Sequence, residues 1–186
     1  MSTPTTRVAF HTMGCKTNFS ETSTISREMM AYGMQQVSFR DTADVYVLNS
    51  CSVTENADKE ARKLIRQARR RNPDATVAVI GCYAQLQPAE IAAIPGVDLV
   101  LGAAEKFNLF SHISSLKANG KATVIQSPIE TVQSFQPSFS AAERTRTYLK
   151  IQDGCNYNCS FCTIPLARGR SRNDNIANTV NIAQQI

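Results

Sequence analysis

The sequence predicts an α/β protein whose larger part is a parallel β-sheet covered on both faces. Three observations carry that reading. Short apolar runs alternate with stretches of helical periodicity from residue 8 to about residue 116. One run, Thr76–Ile80, has the composition of a buried strand. The overall composition, 42% hydrophobic and 19% charged, is ordinary for a soluble globular chain.

In chain order, Val8–His11 is a short candidate strand and Gly14 a turn. A helix is expected from about Ser20 to Tyr32, where Gly33 would end it. Val45–Leu48 is the next strand. Ala57, Ala61, Leu64, Ile65 and Ala68 then recur at helical spacing until Pro73 stops the run. After the strand Thr76–Ile80, Pro88 suits the first turn of a short helix ending near Pro95. Val97–Leu101 is another strand, and Glu105–Leu116 a helix with Phe107, Phe110 and Ile113 as its inner stripe. From Lys121 to about Ala142 the chain turns to Ser, Pro, Gln and isolated Phe, a linker with room for one extended segment. Thr147–Ile151 would open a second unit, and Asp174 would cap a helix running to Ile186.

The N-terminus lacks a basic segment followed by an apolar run, so no signal peptide is read there. No stretch approaches the roughly 18 apolar residues of a membrane span. A cytoplasmic location is expected, where six cysteines serve more readily as ligands than as disulfides. The net charge of +5 permits a polyanionic partner. No Gly-rich phosphate loop occurs.

Cys155, Cys159 and Cys162 have the spacing Cys-x3-Cys-x2-Cys, with Gly154 before them and Phe161 in the last gap. Three thiolates so close on a loop can converge on one soft metal centre. They leave an iron–sulfur cubane one protein ligand short, an open position for a substrate or cofactor. A zinc knuckle would want a fourth ligand, and no His or Cys follows Cys162. The other three cysteines, Cys15, Cys51 and Cys82, each follow a predicted strand. Parallel strands put those ends on one rim, where open α/β sheets collect ligands. Small buried cysteines at strand ends are also common, so spacing alone leaves both readings open.

The stretch Tyr148–Arg172 resembles the signature of the radical S-adenosylmethionine (SAM) family. Gly14-Cys15-Lys16-Thr17-Asn18, Asn49-Ser50-Cys51-Ser52-Val53-Thr54 and Gly81-Cys82-Tyr83-Ala84-Gln85 resemble the three N-terminal motifs of the radical methylthiotransferases. The resemblance implies two [4Fe-4S] clusters. Cys15, Cys51 and Cys82 would hold the one that carries sulfur, and Cys155, Cys159 and Cys162 the one whose open iron binds SAM. It also implies a Rossmann- or flavodoxin-like methylthiotransferase domain over residues 1–120, a linker over 121–145, and the start of a radical SAM (β/α) barrel over 146–186. The segments GCKTNFSETSTI and CSVTENADKEARK are similar to the branch acting on N6-threonylcarbamoyladenosine at tRNA position 37. The isopentenyladenosine branch has Gln after the first Cys and the ribosomal-protein branch has Pro; this chain has Lys16. The partners implied are tRNA and an electron donor such as flavodoxin.

Arg62, Lys63, Arg66, Arg69, Arg70 and Arg71 form a basic strip on the second helix. A solvated helix face and a tRNA phosphate contact both fit it, with Arg62, Arg66, Arg69 and Arg70 the candidates for RNA. Arg168, Arg170 and Arg172 follow the cysteine loop. Arg168 and Arg170 are candidates for the SAM carboxylate, although surface arginines would read alike. His11 is read as a core or surface residue, and His112 carries no functional reading. One strand and one helix cannot close a barrel, so the chain is expected to be a truncated part of a longer enzyme, inactive alone. The competing class is a non-enzymatic iron–sulfur or tRNA-binding module, which would normally complete each cluster with a fourth Cys.

Overall fold

The computed structural model describes residues 5–51, 55–116, 120–141 and 145–186, with residues 55–58 described by their backbone alone. The motif residues Ser52, Val53 and Thr54, the side chain of Ala57, and Ala142 at the end of the linker stretch lie outside the described residues. Six strands form one sheet: β1 (Arg7–Thr12), β2 (Gln35–Val37), β3 (Val45–Ser50), β4 (Thr76–Gly81), β5 (Leu99–Leu101) and β6 (Thr123–Ile125). Their order is β2-β1-β3-β4-β5-β6, and every neighbouring pair is parallel. The parallel α/β sheet expected from the alternating pattern is therefore present.

Successive side chains of a strand point to opposite faces, and both faces here are apolar. Tyr46, Leu48, Val77, Val79 and Val100 pack with Ala61, Leu64, Ile65 and Ala68 of α2 (Glu55–Arg71). The same layer takes Tyr83 and Ala84 of α3 (Cys82–Leu86) and Ile91 of α4 (Pro88–Ala92). On the other face Val45, Val47, Ala78, Ile80, Leu99 and Leu101 meet Ile25 and Met29 of α1 (Lys16–Ala31) and Leu109 of α5 (Leu109–Ser115). Phe107, Phe110 and Ile113 pack on that layer, as their spacing predicts. The interior of β3 is buried along its whole length because strands flank it on both sides.

The differences from the sequence reading have local causes. Edge strand β2 is Gln-Gln-Val and carries no apolar signal. Edge strand β6 falls in the Lys121–Ala142 stretch expected to be a linker with one extended segment. Helix α1 begins at Lys16 rather than Ser20 because the Cys15 side chain caps it, accepting from the Asn18 N–H at 3.5 Å. The helix expected over 105–116 splits into a tight 3-10 turn at Lys106–Asn108 and α5. The cap of α7 (Ile176–Gln184) is Asn175, whose Oδ1 accepts from Asn178 N–H at 2.8 Å. Asp174 stands one residue earlier, accepting from the Asn175 N–H. No described helix is long and apolar enough to cross a membrane.

One face of α1 is unusual in burying Asn18, Ser20, Glu21, Thr22, Ser23 and Ser26. Part of that polar face receives the C-terminal segment. Strands β7 (Ser138–Phe139) and β8 (Leu149–Lys150) pair antiparallel. The hydroxyls of Ser20 and Ser138 lie 3.1 Å apart, and Phe139 N–H donates to Thr24 Oγ1 at 3.1 Å. Arg27 donates to Phe139 O at 2.8 Å while its guanidinium sits 4.2 Å over the Phe139 ring. Polar, directional bonds therefore seat the segment that leads into the cysteine loop.

Candidate metal centre

β1, β3 and β4 lie side by side and parallel, so the residues following them share one rim. Cys15 caps α1 three residues after β1, Cys51 follows β3 directly, and Cys82 opens α3 directly after β4. All three are free thiols, and all three line one cavity of about 270 Å3. The rim is tightly built. Gly14 has φ +86, and a Cβ there would lie 2.6 Å from Cys51 Sγ, so only glycine lets the two loops close on each other.

Asn18 organises the rim. Its backbone N–H points at Cys15 Sγ, and its Nδ2 donates to Met13 O at 3.0 Å and Ser50 O at 3.1 Å. One buried side chain thus pins the backbone just ahead of Cys15 and of Cys51. Asn49 returns the contact, donating from Nδ2 to Asn18 O at 3.0 Å.

The opposite wall of the cavity comes from both ends of the second cysteine loop: Gln152, Asp153 and Gly154 before it, and Thr163, Ile164, Ala167 and Arg168 after it. The last three belong to α6 (Ile164–Arg168). Within the loop, Cys155 N–H donates to Gly169 O at 3.0 Å and Cys162 N–H to Cys159 O at 3.0 Å. Cys155 also lines a second cavity of about 400 Å3 together with Glu130, Asn156, Asn158 and Arg170. Cys159 is exposed and Cys162 half-buried, and neither lines that cavity. Among the described residues no three His, Cys, Asp or Glu side chains stand close enough for a single metal ion. Three thiols on one cavity are the donor set that a polynuclear iron–sulfur cluster takes.

Five charged side chains that the sequence does not mark as a group meet at the wall of the first cavity, where two of them, Asp153 and Arg168, line it. Glu21 is fully buried, and its Oε1 accepts from Lys106 Nζ at 2.8 Å, Lys150 Nζ at 3.0 Å and Arg168 Nη1 at 3.1 Å. Arg168 also donates to Glu21 Oε2 at 3.2 Å, Asp153 Oδ1 at 2.7 Å and Asn18 Oδ1 at 2.6 Å. Burial pushes the Glu21 carboxyl upward, but Lys106, Arg168 and Lys150 outweigh it and hold the group far below the ordinary carboxylate range. Burial likewise raises the Cys82 thiol, against the opposing pull of the Arg168 and Lys106 positive charges.

The arginines read from sequence therefore divide. Arg168 is turned inward to Glu21, Asp153 and Asn18, whereas Arg170 is exposed and faces the second cavity. Arg172 donates to Ser134 O, Arg168 O and Arg170 O, bracing the loop backbone. On α2, Arg62 pairs with Glu90. Arg69 donates to Gly96 O at 2.9 Å, Pro73 O at 2.6 Å, Ala75 O at 2.7 Å and Asp98 Oδ2 at 2.5 Å. Lys63, Arg66 and Arg70 are exposed, and with exposed Lys59 they follow one helical stripe. Replacing the exposed Arg66 and Arg70 by Ala is expected to weaken binding of a polyanion such as RNA and flatten its salt dependence by about one unit of slope per lost phosphate contact. Arg69→Ala should instead lower the melting temperature, because it strips a turn of its donor. Filter binding over a salt series, with thermal unfolding, separates the two.

These features define a parallel-sheet α/β protein with two sets of three free thiols, one on the sheet rim and one on a loop packed against it. The chain belongs to the uncharacterized protein family UPF0004, which it matches over residues 7–102. It is 43% identical over 184 residues to threonylcarbamoyladenosine tRNA methylthiotransferase MtaB of Bacillus subtilis (strain 168), covering 96% of this chain and 40% of that protein. Identity to the MtaB protein of Aquifex aeolicus is 39% over 178 residues, covering 94% of this chain and 43% of that one. Ribosomal protein uS12 methylthiotransferase RimO of Chloroflexus aurantiacus is 31% identical over 191 residues, covering 94% of this chain and 42% of the relative. The chain thus spans about two-fifths of the length of these curated relatives.

Proposed function

We propose that this chain supplies the sheet domain and the second cysteine loop of a tRNA methylthiotransferase. The full-length protein would place a methylthio group at C2 of N6-threonylcarbamoyladenosine at tRNA position 37. The observation that carries the reading is the single cavity shared by Cys15, Cys51 and Cys82, closed on its far side by the two ends of the loop that bears Cys155, Cys159 and Cys162. Similarity to MtaB proteins at 43% and 39% identity supports the same nucleoside.

In this reading Cys15, Cys51 and Cys82 hold one [4Fe-4S] cluster, and Cys155, Cys159 and Cys162 hold the other, which resembles the radical SAM type. The chemistry that two such clusters and SAM supply when bound is sulfur and methyl transfer at one and reductive cleavage of the sulfonium at the other. The protein's own part is placement. Cys51 sits buried against Gly14 and keeps water from one edge of the rim. Arg170, exposed on the cavity beside Cys155, would meet the SAM carboxylate. Lys63, Arg66 and Arg70 would meet tRNA phosphates, and an electron donor such as flavodoxin would serve the second cluster. Residues 146–186 would begin a radical SAM (β/α) barrel.

Anaerobic reconstitution with iron counting tests the metal assignment. The expected value is about eight irons per chain, falling to about half when Cys155, Cys159 and Cys162 are all replaced by Ala. Stoichiometric zinc without iron uptake would overturn it. Nucleoside mass analysis of tRNA treated with the full-length protein tests the substrate. A second reading, supported by the 31% identity to RimO, puts the methylthio group on a ribosomal protein. Product on uS12 in place of tRNA would establish it.

A further inference from the structure

We propose that Glu21 and Arg168 form a buried ionic latch that holds the second cysteine loop in fixed register with the rim of Cys15, Cys51 and Cys82. Both are then positioning residues, which act by fixing where the two thiol sets stand relative to each other. The proposal rests on the functional reading only for what the thiols hold.

The latch closes the loop at its base. Arg168, where the loop ends, donates to Asp153, where it begins, at 2.7 Å. Asp153 and Arg172 exchange backbone hydrogen bonds at 2.9 and 2.8 Å, and Cys155 N–H reaches Gly169 O. Gly154 between them has φ +74, and a Cβ there would lie 2.2 Å from Arg170 O, so the two strands of the base meet backbone to backbone.

From this base a single guanidinium reaches across to α1. Its two nitrogens engage both oxygens of Glu21 and the Oδ1 of Asn18. Asn18 in turn pins the backbone ahead of Cys15 and Cys51, and Arg168 lines the same cavity as Cys82. A continuous series of bonds therefore runs from Cys155 through Asp153, Arg168 and Asn18 to the first thiol set. Lys106 and Lys150 complete the charge around Glu21, each also within 5.4 Å and 5.1 Å of the Phe107 ring centroid. Well-packed apolar side chains would hold two segments together as firmly. What the ionic cluster adds is direction: a planar fork with four acceptors fits one register, which a Lys ammonium cannot reproduce.

The test compares the full chain with Arg168→Lys and with the double variant Glu21→Gln plus Arg168→Met, which removes one anion and one cation together. In the metal-free chain, exchange of the Cys155 and Gly169 amides should rise roughly tenfold or more in the double variant, with Leu48 and Val79 in the sheet unchanged. In reconstituted, reduced protein the iron content should hold, while the distance distribution between the two centres, read by dipolar EPR, broadens. Arg168→Lys should fall between, and it supplies both readouts if the double variant does not fold. Wild-type exchange rates at the loop amides in both variants would overturn the latch, as would an unchanged distance distribution. Failure of the wild-type chain to take up iron would sink the functional reading instead, leaving the exchange result to decide the latch.

Discussion

Glu21→Gln is expected to cost the chain about 3–5 kcal/mol of stability at neutral pH, the usual consequence of removing one partner from a buried ion cluster. Gln keeps the shape of the side chain and can still accept from one donor. It cannot offset three cations, of which only Lys150 and Arg168 also pair with Asp153. The loss should depend on pH with a definite sign. The Glu21 carboxyl is held far below its unfolded value, so its contribution is fully present above the unfolded pKa, about 4.3. It fades as pH falls, because the unfolded chain takes up the proton first. Urea unfolding at pH 7 and near pH 4 should therefore show the gap between wild type and Glu21→Gln narrowing on acidification. A constant gap would mean that the carboxylate charge is not what Lys106, Lys150 and Arg168 require.

Much of the sheet was legible because its strands are apolar on both faces. Val45–Leu48 and Thr76–Ile80 announce themselves, and parallel order then obliges Cys15, Cys51 and Cys82 to end on one rim. The meeting of those thiols on one cavity follows from topology more than from any local motif. Edge strands were harder: Gln35 and Gln36 give β2 no apolar signal, and β6 has only three residues. The start of α1 was hidden because a thiol acts as its cap, a role usually filled by Ser, Thr, Asp or Asn. The ionic cluster had no sequence signal at all. Glu21, Lys106, Lys150, Asp153 and Arg168 each look like surface residues, and only tertiary structure brings positions 21 and 168 together. The same blindness applies on α2, where Arg66 and Arg69 read alike until Arg69 is seen donating to three carbonyls and a carboxylate.

If the proposed function holds, Cys82→Ala is expected to abolish methylthio product in the full-length protein while leaving the fold in place. The site separates those two outcomes. Cys82 opens α3 and contributes its thiol to the cavity, whereas the packing of that layer comes from Tyr83, Ala84 and the strands beneath. Arg168 keeps Glu21, Asp153 and Asn18, so the latch persists. The stability of the metal-free chain should change by no more than about 1 kcal/mol. On the proposed two-cluster reading, iron should fall to about half, since a cubane left with two cysteines would not be retained while the loop of Cys155, Cys159 and Cys162 would keep its own. Loss of an outer-shell partner of a metal typically costs roughly 10–100-fold in affinity or activity, and loss of a direct ligand should exceed that. Iron counting, thermal unfolding and nucleoside mass analysis on the one variant read all three effects. Full iron with undiminished product would remove Cys82 from the metal site and leave its place on the cavity without a chemical role.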